Sequence, residues 1–436
     1  MTEDELQQQF FEMLMESQYW SPSQLVAYQR EQLEQLLRHA RANVPFYENR
    51  LDSVFRPGGG IDWDRWHEIP IVTRTDMRDH RDAMLAQRVP TGHGKYSTIE
   101  SSGSTGLPIK ITTNRLMMLA TRAVRYRAQT WHDFDWSKTY AARYVGEVRE
   151  DRGYRSDGPW GPPWLSSAQL GTAYLMDRKL TAEQMVDVMS SVGASYLRAG
   201  PKPAHVLALA AEREGLDLPL HAVITHGEQV EMDDKQAYRR AFGAICFEQY
   251  SSKEGGQMAH PCPSSAGLHV GAENLLLEIV DENGKPCAVG VEGRVVITPF
   301  TSTTQPLIRY DQGDIAALAP PCSCGRGLPL LAAISGRQTA FFTHPDGRRA
   351  SGMLPEAVRN GLGATIWQVA QVGPLDFDIR YVPNDPDRPG DETAAIAAFK
   401  AIYFEDARVK CIRLPRIEPT AAGKYLQYVN EWQSLS

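Results

Sequence analysis

A layered α/β chain in two parts is what this sequence predicts: a large N-terminal domain of mixed sheets carrying a β-rich subdomain, then a small α+β domain. Three observations predict it. The 436 residues exceed what one hydrophobic core ordinarily supports. Helix-like segments, Ala182 to Ser191 and Ala204 to Glu214, alternate with short apolar runs such as HAVIT and AICFEQY. From Leu268 the strand-like runs crowd together as LHVGAENLLLEIVD, GRVVITPF and PLIRYDQGDIAAL.

Taken in order, Ser21-Pro22 reads as an N-cap followed by a first-turn proline. Leu25, Val26, Leu33, Leu36, Leu37 and Ala40 then recur at helical spacing, and Pro45 stops the helix. Pro57-Gly58-Gly59-Gly60 is a loop. Around residue 100, STIES and IKITT are β-prone runs flanking SSGSTGLP, after which Asn114 caps a long helix through Trp131. Asp151 to Ser166, rich in Gly, Pro and Trp, is expected to be a surface loop. The domain boundary is expected at Ser335-Gly336-Arg337, dividing the chain into 1–336 and 337–436.

Bulk composition narrows the function. With 42% hydrophobic and 23% charged residues the chain is an ordinary globular one. A net charge of -7 leaves no broad basic surface for a nucleic acid or an anionic membrane. No run approaches the roughly 20 apolar residues of a membrane span. The opening MTEDELQQQFFEMLMES is acidic where a signal peptide is basic and then apolar, so a cytosolic location is expected. Small-molecule partners follow from this balance. Six cysteines do not make a disulfide scaffold at this length.

Ser101-Ser102-Gly103-Ser104-Thr105-Gly106 contains only hydroxyl residues and glycines. Glycines let backbone N–H groups approach an anion, and hydroxyls add donors. A triphosphate is the natural guest, although a plain Ser/Gly surface turn has the same composition. No Gly-Lys-Ser/Thr follows, and a Walker loop would open a helix, where this segment lies between strand-like runs.

Further motifs come in a fixed order: Thr225-His226-Gly227-Glu228, Gln249-Tyr250-Ser251-Ser252-Lys253-Glu254, Ile308-Arg309-Tyr310-Asp311-Gln312-Gly313-Asp314, Ser335-Gly336-Arg337 and Pro419-Thr420-Ala421-Ala422-Gly423-Lys424. With the Ser/Gly loop, this series resembles the adenylate-forming superfamily across nearly the whole chain. The helical start SPSQLVAYQREQLEQLLRHARANVPFYENRL and the Pro108-Ile109 pair resemble its phenylacetate–CoA ligase branch.

The resemblance implies that residues 101–106 hold ATP phosphates, with Gly227, Glu228 and Tyr250 bordering the nucleotide and acyl pockets. It further implies that Glu254 helps hold Mg²⁺, Asp314 binds the ribose hydroxyls, and Arg337 lies near ribose or phosphates. A carboxylate beside a triphosphate makes sense only with a divalent cation between them. Lys424, delivered by a mobile small domain, would bridge the substrate carboxylate and an α-phosphate oxygen. Arg309 reads instead as a structural ion-pair residue. Relatives also suggest a homodimer.

Cys262 and His269, with six residues between them, precede Cys322-Ser323-Cys324-Gly325 by about fifty residues. Three thiols and an imidazole make a closed set suited to structural Zn²⁺, and relatives of the phenylacetate–CoA ligases carry similar pieces. His260 is the rival fourth ligand, and the alternative is a set of buried thiols beside an unrelated histidine. Cys246, Cys287 and Cys411 lack partners by spacing and are expected to be packed.

The implied activity is ATP-dependent activation of an aromatic or similar carboxylic acid as an acyl-adenylate, with CoA as acceptor. Two departures bear on the acceptor. Relatives carry an Asp-Asp pair after the Gly-Arg, where this chain has Gln338-Thr339-Ala340, and FFTHPDGRRASG lacks their Arg-Gly-x-Asn/Val run. An amine, a carrier-protein thiol or another small nucleophile is the second reading. A nucleotide-binding regulator without catalysis is the third, opposed by the intact Glu254, Asp314 and Lys424.

Overall fold

The computed structural model describes residues 1–100, 109–144, 146, 148, 150–337, 341–351, 354, 356–385, 387, 390–420 and 425–432. Ser21 and Gln24 close the long helix Pro22–Asn43 reciprocally, the Ser21 N–H donating to Gln24 Oε1 at 2.9 Å and the Gln24 N–H to Ser21 Oγ at 3.3 Å. Leu25, Leu33, Leu36, Leu37 and Ala40 are buried as their spacing predicts, but Val26 faces solvent. Asn114 caps Arg115–Thr130 through the Met117 N–H. Before these, Glu3–Ser17 forms a further helix that packs on Arg115–Thr130.

Twelve strands form one mixed sheet among the described residues. One half is parallel: Ile245–Ser252, Ala222–His226, Ala194–Ala199, Thr139–Tyr144 and Thr172–Asp177 lie side by side. The helices Ala182–Ser191, Pro201–Glu214 and Met232–Phe242 connect or flank them, which is the alternation the sequence predicts. The other half is antiparallel and runs from Gly256–Pro261 through Leu268–Val270, Leu330–Arg337, Tyr310–Leu318 and Gly293–Pro299 to Leu275–Val280. This is the β-rich subdomain. Ile245–Ser252 joins the halves, pairing parallel with Ala222–His226 and antiparallel with Gly256–Pro261.

One expectation changes. Asp151 to Ser166 is not all loop, because Tyr154–Pro159 adds an antiparallel edge strand to Thr172–Asp177. Its Gly and Pro fall at an edge, where a strand tolerates them. Ser335-Gly336-Arg337 is the end of a strand, with Arg337 opposite Asp314.

Beyond residue 340 a four-stranded sheet orders Arg408–Arg413, Asp376–Val382, Ile366–Gln371 and Tyr428–Asn430. With the helices Glu356–Leu362 and Glu392–Ile402 it encloses its own core around Phe342, Val358, Trp367, Phe377 and Phe399. This is the predicted α+β composition. Among the described residues no helix is long and apolar enough to cross a membrane.

Candidate active site and cysteine–histidine cluster

The predicted residues converge where the two halves of the large sheet meet. Ala222–His226 runs out into Gly227, whose φ of +81° is a conformation that side chains resist, and then into Glu228. The neighbouring strand, Ile245–Ser252, carries Tyr250 near its end and is followed by the turn that holds Glu254. Ligands of α/β sheets gather at the carboxyl ends of parallel strands, where Glu228 and Glu254 lie. Tyr310–Leu318 brings in Asp314 from the antiparallel half. The Tyr250 hydroxyl donates to Asp314 Oδ2 at 2.8 Å, with both residues under 10% exposed. That bond fixes the orientation of the Asp314 carboxylate at the seam between the two halves of the sheet.

Glu254 is buried, and no ion pair to it forms among the described residues. A buried carboxylate with no cation beside it among the described residues suits a positive group from elsewhere. Lys253 points the other way and donates its Nζ to the main-chain oxygen of Glu100. Glu100 ends Tyr96–Glu100, which pairs antiparallel with Lys110–Asn114, the strands on either side of the predicted loop. The Thr112 N–H on the second strand donates to Gln305 Oε1 at 2.7 Å. Ser101, Ser102, Gly103, Ser104, Thr105 and Gly106 lie outside the described residues, but the stems on both sides are anchored to the large sheet. The sequence assigns no role to Lys253 or Gln305, since both act on backbone atoms far away in the chain and leave no local pattern.

Lys424 also lies outside the described residues. The next residue does not: the Tyr425 N–H donates to Glu228 Oε1 at 2.8 Å. The C-terminal segment therefore meets the Gly227-Glu228 turn directly. Arg143 is close to both, and burial lowers its guanidinium pKa against the opposing pull of Tyr425 and Glu228. Arg337 is positioned only through its strand register opposite Asp314.

The four predicted metal ligands do come together. The Sγ atoms of Cys262, Cys322 and Cys324 and a ring nitrogen of His269 lie within 4.8 Å of one another. Cys262 and Cys322 sulfurs are 3.6 Å apart, and His269 Nε2 is 3.2 Å from Cys324 Sγ. Sulfurs about 2.3 Å from one tetrahedral ion would stand about 3.8 Å apart, so this donor set fits Zn²⁺. His269 Nδ1 lies 3.2 Å from the Leu328 carbonyl, the contact that leaves Nε2 as the ligating atom. Burial lowers the imidazole to about 4, which keeps it in the neutral form that ligates. His260, across the ladder from His269, is turned to Gln257 Oε1 at 3.0 Å and is outside the cluster. The donor set is 3-Cys/1-His in make-up, the composition of a structural rather than a catalytic zinc site.

Arg309 is structural, as the sequence suggests. Fully buried with φ at +54°, it pairs with Glu278 and donates to the carbonyls of His67, Ile69 and Gly284 at 2.6–3.0 Å. Of the thiols expected to be packed, Cys246 is raised to about 12 by burial, while Cys287 and Cys411 are half-buried. A separate cavity of about 270 Å³ opens beside Phe10, Leu14, Tyr28, His93, Val124 and Thr303, and none of the predicted site residues lines it.

No family model matches the chain. Its fold is that of the adenylate-forming CoA ligases: a 2-hydroxyisobutyryl-CoA ligase solved in the postadenylation state with an acyl-AMP superposes with a TM-score of 0.75, at 18% identity, over 96% of this chain and 93% of that one. Within that class the sequence is similar to phenylacetate-coenzyme A ligases. The Thermus thermophilus enzyme is 26% identical over 329 residues, 72% of this chain and 70% of its own length. The Escherichia coli enzyme is 25% identical over 347 residues, covering 73% and 72%. The resemblance read from the motifs is borne out.

Proposed function

We propose that the chain is an ATP-dependent, AMP-forming acid–CoA ligase. It converts a carboxylic acid, aromatic by the similarity to phenylacetate–CoA ligases, into an acyl-adenylate and passes the acyl group to CoA. The observation that carries this reading is the Tyr250–Asp314 pair at the seam of an adenylate-forming fold, with a buried Glu254 that has no ion pair among the described residues.

In this reading residues 1–336 bind and activate, and residues 337–436 deliver Lys424. The substrate carboxylate attacks the α-phosphorus of ATP and pyrophosphate leaves. Asp314, oriented by Tyr250, accepts from the ribose hydroxyls. The loop at 101–106 donates to the β- and γ-phosphates, and Arg337 stands near the ribose. Glu254 would hold Mg²⁺, which neutralises triphosphate charge when bound. Lys424 stabilises the charge that develops between carboxylate and α-phosphate. Positioning and charge neutralisation supply most of the rate in such a displacement. Cys262, His269, Cys322 and Cys324 would hold Zn²⁺ as a clamp on the β-rich subdomain. A cytosolic homodimer completes the proposal.

Pyrophosphate release across aromatic and aliphatic acids, with and without CoA, tests it. The expected result is acid-dependent release accompanied, when CoA is present, by a CoA thioester. Adenylate without thioester would move the acceptor to another nucleophile, and no release with any acid would overturn the reading.

A further inference from the structure

Glu231 lies where the two parts of the chain meet, and its carboxylate is shared. Glu231 Oε2 accepts from Lys202 Nζ at 2.5 Å and from Arg359 Nη1. Lys202, in the first turn of Pro201–Glu214, and Glu231, at the N-cap of Met232–Phe242, both belong to the large unit. Arg359 comes from the last turn of Glu356–Leu362 in the α+β unit. All three side chains are at most 16% exposed, so the pair is less screened than an ordinary surface bridge.

Lys202 also meets both oxygens of Asp234 at 3.1 Å, and Asp234 meets His205 Nδ1 at 2.7 Å. The carboxylates of the large unit thus have a cation of their own. If Arg359 departs, Glu231 keeps its contact with Lys202, shared with Asp234, so neither carboxylate loses its last cationic partner. Stranding a charge is the main cost of breaking such pairs. The contact is built to be made and broken.

Three residues upstream, the Glu228 carboxylate receives the Tyr425 N–H, and the Leu354 N–H donates to the Tyr428 hydroxyl. The turn 228–231 therefore grips the α+β unit twice. One grip is the ion pair to Arg359, and the other is the backbone position next to Lys424.

We propose that Arg359, through Glu231, is a positioning residue for the C-terminal segment: the ion pair seats the α+β unit on the 228–231 turn so that the Tyr425 amide docks on Glu228. The inference rests on the adenylation role of Lys424.

The test combines kinetics with amide exchange on the full-length protein. R359A should lower the kcat of ATP–pyrophosphate exchange about tenfold while KM for ATP and acid changes less than about twofold. E231Q should do the same, and R359K should restore part of the loss. In a K424A background R359A should add nothing further, because both act on one group. The Tyr425-containing peptide should exchange its amides faster in R359A than in wild type. Unchanged pyrophosphate exchange in R359A, multiplying losses in the double variant, or unaltered protection at Tyr425 would each overturn the proposal. Should R359A fail to fold, E231Q on the opposite unit carries the same comparisons. If wild-type protein shows no exchange activity with any acid, the adenylation reading fails by itself, and amide protection still decides whether Arg359 docks the segment.

Discussion

Tyr250 on the last parallel strand and Asp314 on an antiparallel one, 64 residues apart in the chain, are joined by a 2.8 Å hydrogen bond from hydroxyl to carboxylate. The bond ties the two halves of the large sheet together at the proposed nucleotide site. It fixes the orientation of the carboxylate that the proposed function assigns to the ribose.

Removing that hydroxyl should therefore be felt in ATP binding. A hydrogen bond to a charged group contributes about 1.5–3 kcal/mol. Tyr250→Phe should raise KM for ATP about tenfold or more, and Asp314→Asn should raise it at least as much. Steady-state kinetics at saturating acid measure both, and an unchanged KM in Asp314→Asn would remove it from the ribose site.

The cysteine–histidine cluster predicts metal content. Purified protein should carry about one zinc per chain by elemental analysis. Cys324→Ser and Cys262→Ser should lose the metal and lower Tm, with the remaining activity per folded molecule little changed. Full zinc retention in both variants would contradict the assignment.

The loop after that cluster is tightly packed. A Cβ at Gly327 would stand 1.8 Å from the Trp20 carbonyl oxygen, and the Gly327 N–H donates to the Gln18 carbonyl at 2.8 Å. Backbone cannot yield there as a side chain can. Gly327→Ala should lower Tm by several degrees in thermal melts, an effect on the seam between N-terminal helices and cluster rather than on catalysis.

Arg309 should matter to stability alone. Its loss would strand Glu278, whose carboxyl burial pushes upward in pKa and Arg309 pulls back down. Breaking a buried pair on one side costs about 3–5 kcal/mol. Arg309→Ala should shift the denaturation midpoint accordingly, whereas a stable variant with lost adenylation would reveal a direct catalytic part.

Much of this was legible in the sequence because the signals are local. Ser21-Pro22 and Asn114 are caps whose chemistry is complete within a few residues, and both start helices where expected. The Cys-x-Cys-Gly knuckle and the ordered motifs likewise carry their spacing with them. What stayed hidden depends on distant contacts. His260 and His269 are equal candidates by spacing, and only the ladder register with its turn toward Gln257 separates them. The edge strand Tyr154–Pro159 is invisible in a Gly- and Pro-rich run until Thr172–Asp177 offers it a partner. Lys253 and Arg359 act on a backbone oxygen and on a carboxylate more than a hundred residues away, which no periodicity records.

Acid-dependent ATP–pyrophosphate exchange in Lys424→Ala tests the central claim most directly. Losing one donor aimed at developing charge costs about 3–4 kcal/mol of barrier, so the rate should fall about a hundredfold or more while the fold is kept. A rate near that of the wild type would contradict the account.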